Sequence, residues 1–174
     1  MSSPSALRKI VIVRGSPAAA YHHFTAELAA WWPLEMQSVF DDDTLTCAFE
    51  AKAGGRIYEI SKTGGEALWG TVLLAEPARR VVFSWHPGRS PITAQEVTVH
   101  FTTTEGGTRV ELVHDLWQTL GLRAEETRKT YDSGWDVVLG KCFAGHANRE
   151  LEQPPRPSDA APAKRRPRGK SSGR

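Results

Sequence analysis

The sequence has few of the features that mark several large protein classes. Its 174 residues include only two cysteines, Cys47 and Cys142, which are far apart and form no CxxC pair. This spacing predicts neither a zinc site nor a disulfide framework. No apolar run approaches the roughly 20 residues that a bilayer span requires, and the first residues lack the segments of a secretory signal. We therefore expect a protein of the reducing cytoplasm.

Motifs that mark common active sites are also missing. The sequence contains no GxSxG, HExxH or GxGxxG pattern and no phosphate-binding loop. Its three glycine pairs, at 54–55, 64–65 and 106–107, stand between candidate strands, where hairpin turns explain them. The sequence thus gives no catalytic residue set and no reason to expect a cofactor.

The net charge of +2 combines two segments of opposite sign. Residues 151–174 hold seven Lys or Arg and two acids, which leaves residues 1–150 with a net charge of −3. Residues 153–174 contain no aromatic or β-branched side chain, so they bury too little apolar surface to offset the entropy lost on ordering. We predict one domain over residues 1–152 and a disordered basic tail over residues 153–174.

The tail also suggests a partner. Its basic cluster predicts weak contact with polyanions such as nucleic acid, although no aromatic residue is interleaved for base stacking. The cluster comprises Lys164, Arg165, Arg166, Arg168 and Lys170. A merely solubilising extension is the alternative.

Hydrophobic periodicity divides the domain into three regions. A β-rich run at 8–13 precedes a helix that is predicted over 17–30, with Ser16 as its cap and Pro17 at its first position. The period then changes to two, and turn signals separate strands predicted at 44–50, 56–61, 66–75, 80–86, 95–103 and 108–115. A long amphipathic helix follows, from residue 124 to about 151.

The strands alternate between apolar and polar side chains, which indicates an antiparallel sheet with one buried face. Trp69 and Leu73 break the alternation, so we expect either a bulge or a patch that the N-terminal region covers. Only the last helix has the length and the apolar stripe to cover the buried face. The prediction is an α+β helix-grip fold, with a curved sheet of six or seven antiparallel strands around this helix.

A curved sheet grips such a helix only near its end, so part of the concave face is expected to stay open as an apolar ligand cavity. Gly134 and Gly140 in the helix would allow close approach to the sheet or leave room for a ligand. Ordinary core packing is the alternative for every candidate lining residue. The candidates are Trp31, Leu68, Val72, Phe83, Trp85, Val99, Phe101, Leu112, His114, Trp135 and Leu139.

The histidines and acids give weak metal signals. His22 and His23 are adjacent on a helix and point about 100° apart, so the pair cannot chelate one ion. His86, His100 and Glu96 share the polar sheet face, where solvated surface residues are the simpler explanation. We expect no metal. His114 stands on the apolar face, which predicts a structural histidine or else a polar contact to ligand or a proton-transfer group.

Several segments of the sequence resemble one family. They read PAAAYHHFTAELAAWWP, GGRIYEI, GGEALWGTVLLAEPARRVVFSW, TVHFTTTEGGTRVELVHD and SGWDVVLGKCF, within residues 9–148. These segments resemble the homologues of the Hsp90 ATPase activator, which belong to the START/Bet v 1-like (SRPBCC) superfamily. The most specific parts are WWP at 31–33, the run at 70–85, GGTRVELVH at 106–114 and the Gly134-Trp135 pair. Ala78 stands where a second proline is often seen.

The resemblance implies a helix-grip fold and, most often, a binding domain for hydrophobic small molecules. It carries over no shared catalytic residues. We therefore expect a non-catalytic domain that carries, senses or sequesters an apolar molecule. One alternative is a cyclase- or dehydratase-like enzyme that uses the same cavity, with His114 as the first acid/base candidate. The other is a co-chaperone-like or regulatory protein-interaction module, with an exposed apolar patch.

Overall fold

The computed structural model describes residues 2–150, so the predicted tail at 153–174 and its polyanion contact lie outside the described residues. Seven strands form one antiparallel sheet: β1 (Leu7–Val13), β2 (Thr44–Phe49), β3 (Arg56–Ser61), β4 (Glu66–Glu76), β5 (Arg80–Trp85), β6 (Gln95–Thr104) and β7 (Gly107–Asp115). Their order across the sheet is β1-β7-β6-β5-β4-β3-β2, and every neighbouring pair is antiparallel. Apart from β1, strands adjacent in sequence pair, as the regular turn signals predicted.

Within residues 2–150, four α-helices accompany the sheet: α1 (Pro17–Thr25), α2 (Leu28–Trp31), α3 (Ala124–Val137) and α4 (Ala144–Glu150). A π-helical turn at Val138–Phe143 joins α3 to α4, so the C-terminal helix is continuous from 124 to 150. Short 3-10 turns stand at Asp41–Asp43, Pro91–Thr93 and Trp117–Arg123. Among the described residues, no helix is both long and apolar enough to span a membrane.

The first helix begins as predicted but is shorter. The Ser16 hydroxyl accepts a hydrogen bond from the Ala19 amide at 3.2 Å, and Pro17 follows the cap. The single helix predicted over 17–30 is wrong, because α1 ends at Thr25 and α2 begins at Leu28. The Thr25 hydroxyl donates to the Tyr21 carbonyl at 2.8 Å, a bond that competes with helix continuation, and Glu27 has the non-helical angles φ −103° and ψ 21°.

Strand β4 carries two bulges, so the bulge interpretation is confirmed. Pairing with β3 shifts between Ile57 and Tyr58, which face Gly70 and Leu68, so Trp69 is extra. A second shift in the pairing with β5 leaves Leu73 extra, 51% exposed. Each extra residue resets the alternation. Leu68, predicted on the buried face, is therefore 39% exposed, whereas Trp69 is 1% exposed.

The C-terminal helix lies across the concave face, which confirms the helix-grip prediction. It buries Trp135, Val138, Leu139, Phe143 and Ala147 against the sheet and α1. At the β1 edge, the Lys9 ammonium forms ion pairs with Asp132 and Asp136 of α3 at 2.6 and 2.7 Å.

Glu59, a buried carboxylate on β3, joins the loop after α2 to the adjacent strand β4. Glu59 is fully buried, and its oxygens accept hydrogen bonds from the amides of Val39 and Phe40 at 2.8–2.9 Å. They also accept from the Thr44 hydroxyl at 3.2 Å and from the Trp69 indole at 2.5 Å. A buried charge is tolerated only when its acceptor sites are filled in this way.

We expect Glu59→Gln to lower the free energy of unfolding by about 2–4 kcal/mol. An amide would place a donor against N–H groups that need an acceptor. Glu66→Gln is the control, because Glu66 on the adjacent strand is about half-exposed and solvent screens its ion pair with Arg56. Urea unfolding followed by fluorescence measures both variants, and equal small losses would contradict the role given to Glu59.

Candidate functional site

A cleft of about 570 Å³ opens between the C-terminal helix, the loop after α2 and the ends of β4 and β5. Its lining comprises Trp32, Met36, Gln37, Ser38, Val39, Asp41, Trp69, Trp85, Pro87, Gly88, Thr130, Tyr131, Gly134, Trp135 and Val138. Behind it, a void of about 10 Å³ lies among core side chains such as Phe24 and Phe83. The opening is therefore a cleft on one side of a packed core.

Five aromatic side chains line the cleft: Trp32, Trp69, Trp85, Tyr131 and Trp135. The Trp32 ring lies 5.1 Å from that of Trp69, 5.7 Å from that of Trp85 and 6.2 Å from that of Trp135, measured between centroids. Tyr131 and Trp135 stack at 6.4 Å along the helix. These separations lie in the range for favourable aromatic pairs, so the rings support one another.

Two hydrogen bonds hold the loop that closes the cleft. The Trp32 indole donates to the Gln37 carbonyl at 2.7 Å, which fixes the turn after the WWP segment. The Val39 amide donates to the buried Glu59 carboxylate. Since Glu59 also holds Trp69, one carboxylate positions residues on two walls of the cleft.

Gly134 provides the space on the helix side. A Cβ atom built at this position would meet nothing within 4 Å, so the absent side chain leaves open volume. Gly140 also has open space around it, but it is exposed and does not line the cleft. The sequence analysis offered two explanations for these glycines, room for a ligand or close approach to the sheet. Gly134 leaves room in the cleft, and neither glycine approaches the sheet closely.

A polar corner interrupts the apolar wall. Burial raises the pKa of Tyr131, while the neighbouring Arg89 charge and the donors of Trp85 and Arg89 oppose that rise. Trp85 Nε1 and Arg89 Nη1 are buried without a hydrogen bond of normal geometry. The other Arg89 nitrogen, Nη2, donates to Gln95 at 2.8 Å, which orients the guanidinium. The corner thus combines a protonated phenol with two N–H donors, of Trp85 and Arg89, that lack a hydrogen bond of normal geometry.

His114 is fully buried beside the cleft and does not line it. Its Nδ1 accepts a hydrogen bond from the Trp135 indole at 3.1 Å, so we assign the ring proton to Nε2. The ring packs 4.1 Å from that of Trp117. Burial, with a smaller effect of the Arg89 charge, lowers the pKa of His114 to about 3. His114 is therefore neutral near pH 7, and it accepts the hydrogen bond that orients the Trp135 indole.

The predicted cavity residues divide into three groups. Trp85 and Trp135 line the cleft. Leu68 lies partly exposed outside it. The remaining candidates are core residues that do not line it: Trp31, Val72, Phe83, Val99, Phe101, Leu112, His114 and Leu139. A ligand role for any of them stays a prediction.

The sequence analysis missed several lining residues. They include Trp32, Trp69, Tyr131 and the loop residues from Met36 to Val39. A signal existed for the tryptophans, since Trp32 belongs to the WWP segment and Trp69 breaks the strand alternation. No periodic signal marked the loop.

The sequence analysis placed His86 among solvated residues on the polar face of the sheet. In the structure His86 is buried, and its Nδ1 lies 3.1 Å from the Arg89 carbonyl oxygen. Among the described residues, the converging group of possible metal ligands is His23, Glu27 and His146, and it does not include His86, His100 or Glu96.

The depressed pKa of His114 makes stability depend on pH. The unfolded chain gains a proton below its ordinary pKa of 6.5, whereas folded His114 does so only near 3, so stability falls as the pH falls through this window. We expect a loss of about 1.4 kcal/mol between pH 7.5 and 5.5 that His114→Gln lacks. Urea unfolding at both pH values tests this, and an equal pH response in the variant would contradict it.

Comparisons with known proteins agree with this architecture. The family model described as Activator of Hsp90 ATPase homolog 1-like protein matches residues 15–144. No curated protein matches the chain. One similar solved structure is Txn09, described as an anthrahydroquino-gamma-pyrone synthase complexed with SUM. It is 31% identical, the alignment covers 82% of this chain and 97% of that one, and the TM-score is 0.57.

Two more distant structures show the fold alone. A protein from Rhodobacter sphaeroides is 22% identical, with 85% of this chain and 92% of that chain covered and a TM-score of 0.61. An AHSA1-like protein from Aeromonas hydrophila is 19% identical, with coverages of 86% and 96% and a TM-score of 0.58. With its gripped helix and a family match over most of its length, the chain belongs to the Activator of Hsp90 ATPase homolog 1-like family of the SRPBCC superfamily.

Proposed function

We propose that this protein binds a flat, largely apolar aromatic molecule in the tryptophan-lined cleft and carries, senses or sequesters it. The observation that carries the proposal is the arrangement of Trp32, Trp69, Trp85, Trp135 and Tyr131 around one opening of about 570 Å³. Small-molecule sites span about 300–1,000 Å³ and combine apolar walls with a few polar groups. The AHSA1-like fold supports a ligand-binding domain of this general type.

The shape of the cleft favours a planar ring system over a flexible chain. Indole faces present large apolar areas at low entropic cost, and flat rings bury most surface against them. The polar corner adds selectivity, because Trp85 and Tyr131 line the cleft and the Trp85 indole N–H lacks a hydrogen bond of normal geometry. A carbonyl, phenol or carboxylate oxygen on the ligand would satisfy this donor, whereas a hydrocarbon would leave it unpaired.

Gly134→Leu is designed to fill the cleft without harming the fold. The position has open space for a side chain, and replacing glycine within a helix contributes about 0.5–1 kcal/mol of stability. We expect the variant to weaken binding of anthraquinone-2-sulfonate and 1-anilinonaphthalene-8-sulfonate by about tenfold or more, which corresponds to about 1.4 kcal/mol. Quenching of tryptophan fluorescence and isothermal titration calorimetry measure the dissociation constants.

Gly140→Leu is the matched control, since it changes a glycine of the same helix that lies outside the cleft. It should retain wild-type affinity. A long-chain fatty acid in the same panel distinguishes planar from extended ligands. Wild-type affinity in Gly134→Leu, or no binding of either aromatic probe by the wild type, would contradict the proposal.

The likeness to Txn09 favours a second candidate, an enzyme of the cyclase type that acts on an aromatic polyketide-like substrate in the same cleft. Tyr131 replaces His114 as the acid/base candidate. Burial raises the pKa of its phenol, so the phenol stays protonated at neutral pH and can donate to a substrate oxygen. Arg89 and Trp85 stand where they would stabilise the phenolate that remains after proton transfer.

The two candidates are separated by Tyr131→Phe, assayed with an anthraquinone that bears the open-chain precursor of a fused pyrone ring. If the enzyme proposal holds, the wild type accelerates ring closure and the variant loses about 100-fold or more in kcat while its affinity stays within about threefold. Tyr58→Phe on β3, outside the cleft, is the control. No acceleration by the wild type would contradict the enzyme proposal and favour the binding proposal. Full activity in Tyr131→Phe would contradict the role given to Tyr131.

A further inference from the structure

A second polar cluster lies away from the cleft, where the α1–α2 connection meets α4. Glu27 Oε2 is 2.6 Å from His23 Nδ1 and also 2.6 Å from His146 Nε2. The two imidazole rings are nearly perpendicular, at 88°, with centroids 5.6 Å apart. His23 and His146 are 9% and 7% exposed, and the Glu27 side chain is 25% exposed. None of the three lines the cleft.

We propose that His23, Glu27 and His146 form a binding site for one divalent transition-metal ion, of which Zn²⁺ is the representative. Their candidate ligand atoms all lie within 4.8 Å of one another, although 119 residues separate Glu27 from His146 in sequence. Two imidazoles and one carboxylate are a donor set suited to Zn²⁺, with solvent completing the coordination. The partly exposed Glu27 leaves a direction open for that water molecule.

The local backbone places the three groups without rearrangement of the fold. His23 lies in the last turn of α1 and Glu27 follows two residues after its end, and the 2.6 Å between His23 Nδ1 and Glu27 Oε2 shows that the two side chains meet. The Trp31 indole donates to the His23 carbonyl at 2.9 Å and secures this segment. His146 reaches the cluster from α4, which follows the π-helical turn.

Metal entry requires the two imidazole nitrogens to move away from the Glu27 carboxylate oxygen. Donors bound to Zn²⁺ at about 2.0–2.2 Å in tetrahedral geometry lie about 3.3 Å from one another. Moving each imidazole nitrogen from 2.6 Å to that distance from the carboxylate oxygen is a shift of about 0.7 Å. The bound ion would link the α1–α2 connection to the C-terminal helix, a link that the hydrogen bonds of both imidazoles to Glu27 make in the metal-free protein.

The test uses the full chain, freed of metal with a chelator and titrated with Zn²⁺ in competition with a chromophoric chelator. We expect one tight equivalent per chain and a rise in Tm on addition of Zn²⁺. His23→Gln, Glu27→Gln and His146→Gln should each weaken that equivalent by more than about 100-fold. His100→Gln, which removes a histidine outside the cluster, should bind as the wild type does.

X-ray absorption at the zinc edge of the wild-type protein keeps the test decisive if a variant fails to fold. The expected spectrum has nitrogen and oxygen ligands with the multiple scattering of two imidazoles. A first shell containing sulfur or a single imidazole would overturn the proposal. So would a wild-type affinity no higher than that of His146→Gln, because the three residues would then be only a hydrogen-bonded link between helices.

Discussion

The buried Glu59 carboxylate is the constraint on which the shape of the cleft depends. Its two oxygens accept from two loop amides, a threonine hydroxyl and the Trp69 indole, so the loop and strand β4 share one anchor. Loops usually run over the surface because their backbone groups need water. Here the Glu59 carboxylate accepts the hydrogen bonds that the Val39 and Phe40 amides would otherwise donate to water. The loop can therefore line the cleft beside the apolar rings.

The bulges of β4 make this anchor geometrically available. If the alternation had continued without interruption, Leu68 would face the concave side and Trp69 would face solvent. The extra residue in the register reverses this, so that the Trp69 indole reaches Glu59 and its ring contacts Trp32. Gly70 follows at a point where a Cβ atom would lie 1.8 Å from the Ser84 carbonyl, so only glycine fits where the strand bends. The bulge in β4 thus positions Trp69, and with it one wall of the cleft.

Much of the fold was predictable from the sequence, because hydrophobic period and turn residues act locally. Strand β3, for example, was predicted with its exact bounds, Arg56–Ser61. The cleft was harder to predict. Parity already placed Glu59 on the same face as Ile57, which was an unused signal of a buried charge. Its amide partners stand about 20 residues earlier, in a loop without any periodic pattern, so only the folded chain reveals them. The convergence of Glu27 and His146 depends likewise on how two helices meet.

The polar corner shows why family membership leaves binding and catalysis as separate questions. In a purely apolar pocket, phenylalanine would be the better residue at position 131, because burying a hydroxyl group costs free energy unless the group forms a hydrogen bond. Tyr131 keeps its hydroxyl beside Arg89 and the Trp85 indole, two donors that can stabilise negative charge on oxygen. His114, neutral near pH 7 and bonded to Trp135, fixes the opposite ring. Under the proposed function, recognition of an aromatic ligand would depend on the tryptophans, whereas proton donation to a substrate oxygen would depend on Tyr131.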